Sequence, residues 1–358
     1  MRPPPWTVLV SACVLIVSSC ARTENDVRRN LSREHEDAIK LQWARRTEVG
    51  EGRTRFKSVR AVLTSRDEPR IADVVNLDAL PDGSLLLVDN LHGELLRADV
   101  SRMSPSVESW GTTAGHLRYP LAVRCVKGSV YVWDARGITI LDDLGSIRRV
   151  QRTFFGAHDF LVLDSGLCVN PSARADDTPL LLELRPDMQV AGRWPRTLDG
   201  PHSHVRARAY LALLGQRPIA GYVHRRAIAI FEDRAASTVD LSFPGVDDLA
   251  DLEQRPELVS PAPGVVRLPT YVAGVAAAGG RAYVLLDLPQ LVVLRIGLSG
   301  RVEATYLGGS LDAGRHYSRL AVAASPTTVT LFAIGYDPDR TRVVMAMDID
   351  APDEESSP

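Results

Sequence analysis

The sequence predicts an all-β protein folded as a six-bladed β-propeller, and three observations carry that prediction. From residue 54 onward, short apolar runs recur between clusters of Gly, Pro, Asp and Asn, the pattern of strands joined by tight turns. Helix-period spacing is nearly absent over the same stretch. Turn markers at Gly83, Gly128, Gly166, Gly215, Gly280 and Ser325 are separated by 45, 38, 49, 65 and 45 residues. A period of about 40–50 residues with about four short strands per unit describes a propeller blade. Seven blades or a two-sheet sandwich are the alternatives that this spacing leaves open.

The units can be followed in order along the chain. The first runs through 75–80, turns at Pro81-Asp82-Gly83, and continues through 84–89 and 95–99. The second has 121–126, a turn at Lys127-Gly128, then 129–134, 137–142 and 146–150. The third has 160–163, 167–170 and 180–184; the fourth has 210–213, 219–223 and 227–231. The fifth has 272–275, 282–287, 291–296 and 302–305. The last has 320–323, 328–334 and 343–347, which is one strand short. Val59, Ala61 and Leu63 alternate as a half-buried strand does, so the start of the domain is expected to supply the missing strand and close the ring. The domain is placed at 54–350, followed by a short acidic tail at 351–358.

Residues 81–96 (Pro-Asp-Gly-Ser-Leu-Leu-Leu-Val-Asp-Asn-Leu-His-Gly-Glu-Leu-Leu) and 128–140 (Gly-Ser-Val-Tyr-Val-Trp-Asp-Ala-Arg-Gly-Ile-Thr-Ile) resemble the repeat of six-bladed NHL/TolB-like propellers. The resemblance is clearest in the first, second and fifth units. In the others the Asp after the second strand is missing, and Asn170, His224 and Gly335 stand nearby.

The N-terminus carries a different signal. Arg2 precedes an uncharged stretch from Trp6 to Val17. As a helix it spans about 18 Å, short of a bilayer core but suited to a signal-peptide hydrophobic region. It ends in Val17-Ser18-Ser19-Cys20, which resembles the lipobox of bacterial lipoproteins. That resemblance implies a signal peptide over 1–19, a diacylglycerol thioether on Cys20, and palmitate-type acylation holding the chain on a membrane. An ordinary secretory signal or an uncleaved anchor is the alternative. Ala21 follows where an inner-membrane retention signal would place Asp, so the resemblance favours the outer membrane of the cell envelope. Residues 20–53 then read as a polar, charge-rich tether. Cys125 and Cys168 remain, and in an oxidising periplasm they either pair or stay as buried thiols.

Charge excludes one class of partner. With 42 Lys+Arg against 44 Asp+Glu the net charge is −2, too little positive field for nucleic-acid binding. All but three of the basic residues are Arg. No Gly-x-Ser-x-Gly elbow, His-Glu-x-x-His, Walker loop or Cys-x-x-Cys occurs. The longest insertion, 243–268, reads as a short acidic cap.

Strand alternation gathers the remaining chemistry on one side of the ring. Loops that enter an innermost strand hold His116, His158, His202, His204 and His316, and loops after a second strand hold Asp89, Asp134, His224 and Asp287. Imidazoles with carboxylates suit a transition metal or acid–base work. Equally, an Asp that ends a strand commonly accepts N–H bonds from the following turn. Imidazoles around an open channel mouth are expected to titrate near about 6.5. The opposite face, with turns such as Asp82-Gly83 and Lys127-Gly128, is expected to be functionally silent. Two functions fit: an envelope lipoprotein binding a protein, peptide or glycan on the histidine face, or an enzyme there of the lactonase, lyase or dehydrogenase kind. The absence of a compact catalytic motif favours binding, and sparse aromatics favour a protein or peptide over a glycan.

Overall fold

The computed structural model describes residues 53–351 apart from 103, 112–115, 154, 173–178, 195–206, 233–234, 242–267, 269, 289 and 309–314. Cys20, His202, His204, the tether, the acidic tail and almost all of the 243–268 insertion therefore lie outside the described residues. By contacts the chain divides into Met1–Glu48 with Phe243–Pro269 and Val49–Ser242 with Thr270–Pro358; all the strands belong to the second unit.

Strands β1 (Arg53–Arg55) and β2 (Ser58–Thr64) come first, followed by a single 3₁₀ turn at Pro69–Ile71. Blade one comprises β3 (Val74–Ala79), β4 (Leu85–Asp89), β5 (Glu94–Asp99) and β6 (Ser106–Ser109). Blade two comprises β7 (Ala122–Val126), β8 (Ser129–Asp134), β9 (Gly137–Leu141) and β10 (Ile147–Arg152). Blade three comprises β11 (Ala157–Leu163), β12 (Gly166–Pro171), β13 (Leu181–Leu184) and β14 (Val190–Trp194). Blade four comprises β15 (Ala209–Leu214), β16 (Arg217–Tyr222), β17 (Ala227–Glu232) and β18 (Ala235–Asp240). Blade five comprises β19 (Val272–Ala278), β20 (Arg281–Leu286), β21 (Leu291–Ile296) and β22 (Val302–Gly308). Blade six comprises β23 (His316–Ala324), β24 (Thr328–Tyr336) and β25 (Arg342–Asp350). No α-helix occurs among the described residues.

Each blade is an antiparallel sheet whose first strand lies innermost and touches the first strand of the next blade, with β23 returning to β3. The six-bladed ring is closed. As the alternation of Val59, Ala61 and Leu63 requires, β2 pairs antiparallel with β25 and becomes the outer strand of blade six. The joint between chain start and chain end therefore consists of backbone hydrogen bonds, and blade six has no open edge there. Strand β1, which no sequence pattern announced, pairs parallel with β22 as a fifth strand of blade five. Just after it, Phe56 stacks on Tyr306 with ring centroids 5.4 Å apart.

Packing follows the strand period. All five residues of β4 are buried, and they alternate between two layers. Leu85 and Leu87 pack toward Phe332 and Ile334 of blade six. Leu86 and Val88 pack toward Val123 and Val132 of blade two. Each such side chain contributes about 1.5–3 kcal/mol on burial, so a continuous apolar run in the sequence marks a strand sandwiched between blades.

The cysteines stay apart for the same reason. Cys125 packs partly into the layer between blades one and two, whereas Cys168 lies in the layer between blades three and four. Both thiols are free, so the disulfide option is not taken. Burial pushes the Cys168 thiol up to about 12, and burial together with the nearby Asp78 carboxylate raises Cys125 well above the usual thiol range. Neither is a thiolate nucleophile near neutral pH.

Candidate functional site

Polar side chains of the inner strands meet inside the ring. Arg124 of β7 donates through Nη2 to both carboxylate oxygens of Asp159 on β11, at 2.7 and 2.8 Å. The same guanidinium donates to the carbonyls of Phe160 (3.1 Å), Val123 (3.0 Å) and Leu211 (3.3 Å). Asp159 in turn accepts the Leu211 N–H at 2.9 Å, so one buried ion pair ties together blades two, three and four. Across the channel, the Arg319 guanidinium stands over the ring of Tyr210, 4.7 Å from its centroid, and donates to the Val75 carbonyl at 3.3 Å. Asn76 Oδ1 and Arg319 Nη1 are buried without a hydrogen-bond partner. The cavity between these groups is only about 10 Å³, at the lower limit for holding a single water.

Bulges aim residues into this channel. The ladder slips between Ala157 and Asp159 and between Ser318 and Leu320, leaving His158 and Arg319 as the extra residues. Arg319 sits at φ 60°, a left-handed conformation costly for a side-chain-bearing residue. Its backbone presses on Gly274, where an added Cβ would lie 2.6 Å from the Leu320 nitrogen, so the position needs a glycine.

His158, at the start of β11, lies beside this arrangement. Burial, followed by the positive charges of Arg208 and Arg319 and by His224, lowers its pKa from the ordinary 6.5 to about 4. That departs from the expectation of imidazoles titrating near 6.5, because this ring is largely buried and has two guanidinium groups nearby. His158 is therefore neutral at physiological pH, a hydrogen-bonding and potential proton-accepting group. His316, the first residue of β23, places Nδ1 3.9 Å from Asp287 Oδ1 of the neighbouring blade, and Thr270 Oγ1 donates to Asp287 Oδ2.

The other carboxylates are committed to turns. Asp89, 1% exposed, accepts the His92 N–H at 2.9 Å and contacts His92 Nδ1 at 2.7 Å. That contact raises the His92 pKa. Asp134, 2% exposed, accepts the N–H groups of Arg118 (3.0 Å) and Arg136 (2.7 Å). Where blade three lacks the Asp, Asn170 does similar work, donating to the Leu180 and Ala207 carbonyls and accepting the Ala209 N–H. His116 is exposed, and its carbonyl accepts from Arg136. Thus His158 and His224 lie near one another and His316 and Asp287 form a second pair, whereas Asp89 belongs to a turn of its own and Asp134 is joined to the His116 loop through Arg118 and Arg136. Among the described residues no three His, Cys, Asp or Glu side chains assemble as metal ligands.

Sequence reasoning missed Arg208, Tyr210, Arg319, the Arg124–Asp159 pair and His92. It also missed an apolar patch beside the last. Asn90 donates to the Pro120 carbonyl at 2.8 Å, joining two loops that present Leu91 and Tyr119 at 65% and 60% exposure. Tyr119 holds φ 51° to do so.

No family model matches the chain, and no curated protein matches it either. Solved structures do. A putative exported protein from Bacteroides fragilis is similar with a TM-score of 0.53 at 11% identity, over 82% of this chain and 95% of that one. A luciferin-regenerating enzyme gives 0.51 at 11% identity, over 81% and 94% of the two chains. A catalytically inactive virginiamycin B lyase from Staphylococcus aureus, solved with quinupristin, gives 0.50 at 8% identity, over 84% and 90%. What these chains share with this one is the propeller fold.

Proposed function

We propose that the protein is a bacterial cell-envelope lipoprotein of NHL/TolB-like character, anchored through Cys20 in the outer membrane, whose propeller binds a protein or peptide on the histidine face. The observation that carries the binding reading is the polar cluster of Arg124, Asp159, Tyr210 and Arg319 inside the ring. Between these described residues a cavity of only about 10 Å³ remains, which favours a partner resting on the face over a ligand seated among them. The face offers what a partner surface needs: exposed apolar anchors at Leu91 and Tyr119, with His224 and Arg208 near the more deeply set His158 and Arg319. The exported neighbour from Bacteroides agrees with an envelope location.

A second reading keeps the enzyme alternative alive. His158 is a neutral imidazole among cationic groups, which is the protonation state a general base requires, and the lyase neighbour shares the fold. One purification from the native host addresses both readings. Mass spectrometry is expected to find a diacylated Cys20 as the N-terminal residue, and metal analysis to find no stoichiometric metal. An intact Met1 removes the lipoprotein reading, and one metal per chain moves the assignment to the enzyme.

A further inference from the structure

The face opposite the histidines carries a second candidate site, a cleft of about 270 Å³ between blades two and three. Tyr131 of β8, Ile140 of β9, Val162 and Leu163 of β11 and Leu167 of β12 give it an apolar wall. Its width is fixed by a tie between the blades: Gln151, a buried residue of β10, donates through Nε2 to the Pro186 carbonyl in the turn between β13 and β14. The cleft is therefore preformed and needs no induced opening.

Its electrostatics are one-sided. Arg149 of β10 and Arg185 beside Pro186 both line the cleft. Among the described residues neither guanidinium has an ion-pair or hydrogen-bond partner, whereas the adjacent Arg148 is engaged with Asp142 at 3.6 Å. The one carboxylate in the lining, Asp164, is already held by Lys127 at 2.6 Å, which also lowers its pKa. Two uncompensated cations beside an apolar wall are complementary to an amphipathic anion. Planar guanidinium groups suit a carboxylate through paired N–H donors. The volume lies just below the range of about 300–1,000 Å³ typical of drug-sized ligands, which limits the occupant to one hydrophobic side chain and its acid.

We propose that this cleft binds the carboxylate of a hydrophobic terminal residue, with the side chain on the Val162–Leu167 wall and the acid between Arg149 and Arg185. The proposal concerns the face expected to be silent, and it does not depend on the histidine face. The chemistry is shared by a free N-acyl amino acid and by the C-terminus of a peptide.

Calorimetric titration of the full chain with N-acetyl-leucine tests it, with N-acetyl-leucinamide as the uncharged control and an acetylated tetrapeptide ending in leucine as the peptide arm. Expected is saturable one-to-one binding of the acid, with the amide weaker by about fivefold or more. Arg149→Gln and Arg185→Gln should each weaken the acid by a similar factor at unchanged melting temperature, since both side chains are exposed. Tighter binding of the tetrapeptide assigns the site to peptide ends, and equal binding assigns it to free acids. Either result supports the proposal. Absence of saturation up to about 10 mM, indifference to both Arg substitutions, or equal loss in a His158→Ala, His224→Ala variant of the opposite face overturns it.

Discussion

At the scale of single residues, the polar cluster inside the ring is the most consequential feature. Asp159 is 2% exposed and holds Arg124 together with two backbone N–H groups. Asp159→Ala leaves a largely buried guanidinium without its partner, which should cost about 3–5 kcal/mol and lower the urea midpoint accordingly. His158 predicts a pH dependence. Its folded pKa of about 4 lies below the ordinary 6.5, so the unfolded chain takes up the proton first. Stability should be level above about pH 6.5 and decline toward pH 4, by up to about 3 kcal/mol for this mostly buried ring. Urea melts from pH 4 to 7.5 check this, and His158→Gln should flatten the slope. The sequence placed His158 in a loop entering an inner strand, whereas it is the second residue of that strand, β11. It could not show the bulge that turns the residue inward, nor the company of Arg208 and Arg319, which arrive from blades four and six. Arg319 fell just outside the run read as 320–323, because a single-residue bulge interrupts the two-residue alternation.

At the scale of elements, the most exposed claim is the closure by β2. Deleting residues 53–64 strips the outer strand from blade six and β1 from blade five, leaving backbone groups along β25 unpaired. The whole domain should lose cooperative stability, measured as a lowered and broadened thermal transition. An unchanged midpoint contradicts the closure. Second strands were legible because they are sandwiched between blades and read as unbroken apolar runs, as β4 and β20 do. Outer strands β6, β14 and β18 were not, since most of their side chains face water and their pattern carries little hydrophobic contrast. The repeated Asp was a good marker of the turns and a poor marker of chemistry. Asp89 and Asp134 spend their oxygens on turn N–H groups, and the blades that lack the Asp satisfy their turns otherwise, as Asn170 does.

At the scale of the whole molecule, the six sheets form a closed ring with a polar cluster inside it and two chemically different faces. One face gathers imidazoles, guanidinium groups and exposed Leu91 and Tyr119; the other is built of tight hairpin turns and the cleft between blades two and three. The central claim is that the histidine face is where a macromolecular partner binds. A photo-reactive amino acid placed at His116, Tyr119 or His224 in the native host, with Asp82 and Ser325 on the opposite face as controls, tests it most directly. The account predicts a discrete crosslinked species of defined mass from the first three positions and none from the controls; equal crosslinking from both faces, or none from any position, contradicts it.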